Sequence, residues 1–370
     1  MRSVGLPRLE RRVHAHAGAR LVVVVTAAVL VALLAPVAPA LAQHGDYLLG
    51  TTGLLGASQP PEGIYYQNIF SYYNASGTLL DATRIKQLQL LGRDVGNLVA
   101  NLKVGASLDA YVDQNIIGMT TPFTLLGASY GFFADIAFDQ VHGTGDASLD
   151  LGANLKGLFD RQSAAASASA TRNSSGTATF NIADMYIEPI NLGWHFSQLD
   201  VYASFGFFAP SGDYSSTRAI NNGLGRWAEA FGLGAVVYLD QAKSWSISAL
   251  THYLTHQSQE GSNTRVGDDL ALEWGVGKTF RPAAWQPWVA QLDVGVVGYG
   301  QWQVTDNTGS DIPIPLRGIR SNIFAVGPEI AATTKFGRFF ARYEFEFGGQ
   351  DSPRGQVFLF GLALLVDPFK

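Results

Sequence analysis

The sequence predicts an all-β fold: a transmembrane, antiparallel, up-and-down β-barrel of about 12–14 strands behind a cleavable signal peptide. Three observations predict it. The N-terminus reads as an export leader, apolar and polar side chains alternate with a two-residue period from Ile64 onward, and the alternating runs match the length of spanning strands.

Arg2, Arg8, Arg11, Arg12 and Arg20 precede an uncharged run over residues 21–35, and Ala40-Leu41-Ala42 places small residues at a cleavage site. The apolar run falls short of the ~20 residues of a spanning helix, so cleavage after Ala42 is expected and residues 1–42 are assigned to the signal peptide. Removing them takes away five arginines and Glu10 and moves the net charge from −5 to −9. A chain without a basic stripe lacks the electrostatic footprint of nucleic-acid binding. The absence of cysteine excludes disulfides, thiolate metal sites and cysteine nucleophiles. With 12% aromatic and only 15% charged residues, the exported chain is either a periplasmic β protein or a membrane barrel, and periodicity decides between them.

Over residues 100–112, Leu102, Val104, Ala106, Leu108 and Ala110 share one face and Asn101, Lys103, Gly105, Ser107 and Asp109 the other. Leu199, Val201, Ala203, Phe205 and Phe207 oppose Asp200, Tyr202, Ser204 and Gly206. Ala290, Leu292, Val294 and Val296 oppose Gln291, Asp293 and Gly295, and Phe339, Ala341, Tyr343, Phe345 and Phe347 oppose Arg338, Arg342, Glu344 and Glu346. The runs place strands near 64–74, 83–92, 98–113, 128–141, 147–159, 180–190, 198–209, 226–239, 244–256, 267–280, 287–303, 321–334, 337–348 and 355–366. Many exceed the ~5–6 residues usual in soluble sheets and match the ~9–11 of a tilted spanning strand.

Short links such as Asp240-Gln241-Ala242-Lys243 alternate with long polar stretches, residues 143–179 and 210–225, as expected of tight periplasmic turns and long outer loops. Residues 163–176, rich in Ala, Ser and Asn, read as a loop tip. Trp194, Trp227, Trp245, Trp285, Trp288 and Trp302 fall near proposed strand ends, where an interfacial girdle would hold them, and Trp274 falls mid-strand. In hydrocarbon every backbone polar group must be paired within the protein, and a sheet achieves this only by closing. Apolar faces are therefore expected toward lipid and polar faces toward a wet interior.

Chemistry-bearing patterns are few. Gly275-Val276-Gly277-Lys278-Thr279 ends like a phosphate-binding loop but lies in a strand pattern and lacks the first glycine, with Leu272 in its place. His252 and His256, four apart on a strand, stand about 13 Å from each other, too far to share a metal. No Gly-x-Ser-x-Gly elbow or nucleophile–base grouping is recognisable, so no catalytic residue, metal or cofactor is expected. The candidate functional residues are charges on the presumed inner faces: Lys103, Asp109, Asp135, Asp139, Asp269, Glu273, Asp293, Glu329, Arg338, Arg342, Glu344 and Glu346. Residues 43–63, glycine-rich and ending in Pro60-Pro61 before Glu62-Gly63, either fold inward as a plug or form a periplasmic extension, the first being preferred. The barrel is assigned to 64–370.

Several of these stretches resemble the outer-membrane transporter family of the phenol meta-pathway. The likeness lies in residues 44–55 with Pro60-Pro61-Glu62-Gly63-Ile64-Tyr65, in Asp184-Met185-Tyr186-Ile187-Glu188-Pro189, in Leu192-Gly193-Trp194-His195 and in Gly327-Pro328-Glu329. The sharpest match is Ala209-Pro210-Ser211-Gly212-Asp213-Tyr214, with Ser211 where the family has threonine, followed by Asn222 and Gly225-Arg226-Trp227. The asparagine usual after that arginine is missing, and the chain ends in Phe369-Lys370, not on an aromatic residue. Pro210, Gly212 and Asp213 are expected to turn the chain out of a strand, with Tyr214 and Arg226 completing the motif. The resemblance implies a bacterial outer-membrane barrel for uptake of small hydrophobic or aromatic molecules. Passive diffusion through a barrel surrounded by lipid is expected, with a monomer favoured and the oligomeric state left open. A nonconducting barrel whose outer loops bind a surface partner is the alternative.

Overall fold

The computed structural model describes residues 47–90, 93–155, 164–218, 220–281, 288–312 and 317–367. The expected signal peptide (1–42), Trp285 and Phe369-Lys370 lie outside them.

Thirteen strands occur among the described residues: β1 (Gly63–Leu90), β2 (Arg93–Leu125), β3 (Ala128–Leu155), β4 (Ala164–Ile182), β5 (Met185–His195), β6 (Leu199–Ala209), β7 (Ala228–Tyr238), β8 (Trp245–His256), β9 (Asp269–Phe280), β10 (Val289–Gln303), β11 (Asn322–Thr334), β12 (Gly337–Gln350) and β13 (Arg354–Asp367). Each described pairing is antiparallel, and β1 closes the ring on β13 from Ile64 to Ser76. The ring has twelve positions. β4 and β5 occupy one of them end to end, β5 beside the lower half of β3 and β4 beside its upper half, interrupted at Ala183-Asp184. Closure pairs β1–β3 and β5–β13 on both sides within the ring, as hydrocarbon requires, while β4 pairs along β3 alone.

Tight turns such as Leu126-Gly127 and Lys335-Phe336 lie at one end, while the paired strands β1–β2 and β3–β4 and the described parts of the segments 210–227, 257–268 and 304–321 extend the other, where residues 351–353 also turn the chain from β12 to β13. The upper halves of β1 to β4 continue beyond the ring as a four-stranded projection. This corrects the expectation of a polar loop at 143–179 with a tip at 163–176. The Ala/Ser alternation in that stretch is itself a two-residue period, and it pairs with residues 138–155 of β3.

In β6 the interior row Asp200, Tyr202, Ser204 is buried, while Leu199, Val201 and Ala203 turn outward, as expected. Phe70, Phe132, Phe231, Ile247, Val294 and Phe345 are likewise exposed on the outer belt. Aromatic pairs gather toward the long-loop end, with ring centroids 5.9 Å apart in Phe207–Trp227 and 5.4 Å in Trp302–Phe324. At the short-turn end Lys278 stands 4.5 Å over Trp245, and Lys335 stands 4.9 Å over Trp288. Both belts have the composition of membrane interfaces.

One wall reverses the expected polarity. Over residues 101–110, Leu102, Val104, Ala106, Leu108 and Ala110 are buried inside, whereas Lys103 and Asp109 face outward. Lys103 pairs with Asp81 on the outer surface, and Asp109 accepts from Tyr72 and lies on the face of exposed Tyr111. These two residues therefore leave the lumen set. The projection meets water outside, and inside it meets the apolar side chain of Ile220, which packs with Leu108, Ala110, Val141 and Ala178. The outer face of β1–β2 also carries Asn68, which donates to Asp113 at 2.6 Å, and Tyr66, which donates to Asn115 at 2.7 Å, so these groups satisfy one another.

Candidate functional site

The barrel interior has two unlike walls. From β5 to β11 inward polar side chains, set among the buried apolar ones of β7 and β8, grip the chain segment that precedes β1. The backbone N–H of Thr52 donates to Glu273 at 3.0 Å, that of Leu54 donates to Glu329 at 3.1 Å, and the Ser58 hydroxyl donates to Asp200 at 2.7 Å. Gln59 Nε2 donates to the Asn191 side chain at 2.7 Å, and Asn191 passes the network to Glu188, which also accepts from Tyr186 and Tyr202 at 2.7 and 2.6 Å. Each carboxylate removed from water here is compensated by donors, the condition under which a buried charge persists.

The segment fits because glycines open the wall beneath it. Leu54, 1% exposed, rests on Gly275, Gly277 and Gly295, where an added Cβ would lie 3.0, 2.9 and 2.6 Å from its Cα or Cδ2 atoms. The glycines that imitate a phosphate loop in sequence are thus strand residues that seat a leucine.

Along β1–β3 and β13 the inner surface is largely apolar, and β11 and β12 add Ile323 and Phe340 to it beside their inward charges. Ile69, Ile323, Phe340, Val357 and Leu359 form one buried cluster, and Ile116 packs against it. Beside this wall runs a cavity of about 1140 Å³. Its lining includes Asn222 and Leu224 at the long-loop end, Ile69, Ile116 and Phe133 in the middle, and Pro61, Lys335 and Leu364 at the other end. The inner segment thus lines one side of this space along with the barrel wall, through Leu49, Thr52, Leu54 and Gln59. The size is that of a small-molecule site.

The segment between β6 and β7 bends over the long-loop end of the cavity. Asp184 accepts from the backbone of Gly212 at 2.9 Å and of Leu224 at 2.6 Å, which pins both limbs of the bend to the break between β4 and β5. Gly212 and Gly223 meet face to face, a Cβ on the former lying 2.6 Å from the Cα of the latter. Asn222, buried, donates to Asp139 at 2.6 Å, and Asp213 accepts two bonds from Arg218 at 2.9 and 2.6 Å. Arg218 holds the Asp213 carboxyl below its ordinary value. Tyr214 lies over Gly225, whose φ of +62° is open to glycine, and Arg226 is buried. The Pro210-Ser211-Gly212-Asp213 stretch therefore turns the chain inward across the mouth.

Of the residues expected in the lumen, ten lie on inward faces. Asp135 accepts from Gln114, Asp139 from Asn222, and Asp293 from Thr279 and Arg338. Glu329 pairs with Arg342 at 2.9 Å, Glu346 accepts from Tyr73 and Tyr299, Glu273 holds Thr52, and Glu344, 1% exposed, faces Gly50. Asp269 lies beside His256, 3.9 Å away. The two histidines do not meet as a metal pair: His252 packs on Tyr47 with ring centroids 4.6 Å apart and planes tilted by 40°, and His256 Nδ1 is 2.9 Å from the Gly267 carbonyl. Sequence reasoning passed over Glu188, Asp200, Tyr202 and Gln114 as site residues. Their inward alternation was visible, but their partners in residues 58–59 and across the ring were not.

A closed antiparallel ring with an aromatic girdle at each end, a polar-held inner segment and a cavity along its axis is an outer-membrane β-barrel. The family model described as "Putative MetA-pathway of phenol degradation" matches residues 95–360, and the chain belongs to that family. Among solved structures it is similar to the COG4313 outer membrane channel from Pseudomonas putida F1, with 10% identity, a TM-score of 0.52, and coverage of 86% of this chain and 99% of that one. That likeness establishes a shared fold. A Pseudomonas aeruginosa FadL homologue is a more distant likeness, with 10% identity, a TM-score of 0.35, and coverage of 85% of this chain and 97% of that one. No curated protein sequence matches.

Proposed function

We propose that the protein is a channel for passive uptake of small hydrophobic or aromatic molecules across the bacterial outer membrane and performs no catalysis. The observation that carries this reading is the cavity whose lining runs from Asn222 and Leu224 at one end of the barrel to Lys335 and Leu364 at the other, with an apolar wall between. In this reading residues 47–61 are a plug that fills the polar side of the lumen and leaves an apolar lane beside it. The inward charges Asp135, Asp139, Asp269, Glu273, Asp293, Glu329, Arg338, Arg342, Glu344 and Glu346 hold plug and wall in place and keep part of the interior wet. The lane lies within one barrel, so a single copy suffices.

Uptake by porin-depleted Gram-negative cells expressing the chain tests this. Phenol-sized aromatics are expected to enter faster than in cells without the protein, and charged sugars of similar mass are expected to gain little. Equal uptake of the aromatics with and without the protein would remove the transport reading.

A further inference from the structure

Midway along the apolar wall, two acceptor atoms lack partners. Gln114 stands on β2 beside Ile69 of β1, and Asp135 stands on the adjacent β3. Both line the cavity, and they are 9% and 8% exposed. Gln114 Nε2 donates to Asp135 Oδ2 at 2.6 Å. This bond fixes the amide, because a carboxylate can only accept, and Gln114 must therefore present its oxygen elsewhere. Among the described residues neither Gln114 Oε1 nor Asp135 Oδ1 has a hydrogen-bond partner, the backbone N–H of Asn115 lying near the Asp135 carboxyl but leaving Oδ1 outside hydrogen-bonding geometry, and no basic side chain pairs with Asp135. Around them the lining is Ile69, Ile116, Phe133, Ala137 and Val357.

We propose that Gln114 and Asp135 form a binding site in the lane for an apolar molecule that carries one O–H or N–H donor, the donor bonding to Gln114 Oε1 or Asp135 Oδ1 and the apolar body lying against Ile69, Ile116 and Phe133. The inference rests on the uptake reading above and deepens it by assigning the recognition to two side chains. Two acceptors without a donor select by hydrogen-bonding sense: an alcohol satisfies one of them, whereas its methyl ether buries the same surface and leaves both unsatisfied. Aromaticity is not required, since the wall is mostly aliphatic.

Ligand-observed NMR on the detergent-solubilised barrel tests this with cyclohexanol and methoxycyclohexane as probes. Cyclohexanol is expected to bind at least tenfold more tightly than the ether. In the double variant Gln114→Met, Asp135→Leu, which removes both acceptors, the ratio is expected to fall severalfold. A second variant, Gln114→Glu, keeps an oxygen there and retains a preference for the alcohol. Folding of each variant is read from its heat-shifted mobility on a detergent gel. Equal binding of alcohol and ether by the unaltered protein overturns the site, whatever the variants do. So does an unchanged ratio in the folded double variant. Selective binding without uptake in cells would sink the transport reading and leave the site standing, while uptake without selectivity would do the reverse.

Discussion

The backbone N–H of Leu54 donates to Glu329 Oε2 at 3.1 Å, a contact between the segment that precedes the barrel and its eleventh strand. The same oxygen accepts from Arg342 Nε at 2.9 Å. One buried carboxylate thus ties the inner segment to the ion pair that joins β11 to β12. The interior of this barrel is a docking surface for residues 47–61 of its own chain, beside the cavity.

Arg342→Met leaves Glu329 buried with its main counter-charge gone. Breaking such a pair costs about 3–5 kcal/mol, whereas replacing both members by apolar or neutral groups costs much less. The temperature at which the folded gel band converts to the unfolded one is therefore expected to drop clearly in Arg342→Met and to recover in part in the double variant Glu329→Gln, Arg342→Met. A double variant less stable than the single one contradicts this.

Gly277→Val places a side chain where Leu54 lies, its Cβ alone standing 2.9 Å from Cδ2 and its nearest neighbours all being side-chain atoms of Leu54. Gly277 does not have a positive φ, so its strand tolerates the change. The expected outcome is release of the inner segment, read as faster proteolysis within residues 47–61 and larger solute flux. Gly152→Ala, whose Cβ meets nothing within 4 Å, serves as the silent control.

Asp213 is exposed, and its carboxyl is held below the ordinary value of 3.8 by hydrogen bonds and charge from Arg218. A depressed folded value means that the bond's contribution is complete above about pH 4 and is lost as pH falls through that lowered value. Trypsin cleavage at Arg218, taken relative to an unstructured peptide of the same sequence at each pH, is expected to be slow and constant above pH 5. Hydrogen exchange of residues 211–218 is expected to quicken only in stronger acid, and Asp213→Asn should abolish that acid step.

Asn222→Ala removes the donor that bridges the mouth segment to Asp139 and the Thr179 carbonyl. A buried acceptor left without its donor costs about 1–3 kcal/mol, enough to loosen the bend without unfolding the ring. Flux of solutes too large for the unaltered barrel is expected to rise. An unchanged size limit would mean that this bend does not set the width.

Much of the ring was legible in the sequence because alternation in β6, β10 and β12 reflects two chemically different environments. What alternation cannot say is which face turns inward. In β2 it separates Leu102, Val104 and Leu108 from Lys103 and Asp109 cleanly, but only ring geometry and the packed Ile220 put the apolar row inside. The run Ala164-Ala165-Ala166-Ser167-Ala168-Ser169-Ala170 was read by composition as a loop when its period was that of a strand. The seat of Leu54 was hidden for another reason: it is made of missing side chains at Gly275, Gly277 and Gly295 and of backbone donors, neither of which leaves a hydrophobic or charge pattern.

The most direct measurement is uptake of phenol-sized aromatics by porin-depleted cells carrying Ala110→Trp or Ala137→Trp, two inward alanines of the apolar wall that line the cavity. A tryptophan at either position fills the lane without touching Glu273, Glu329 or Arg342. The account predicts a folded, heat-shifting barrel whose aromatic uptake falls at least tenfold toward that of cells lacking it. Uptake as fast as that of the unaltered protein, with the tryptophan in place and the barrel folded, would contradict it.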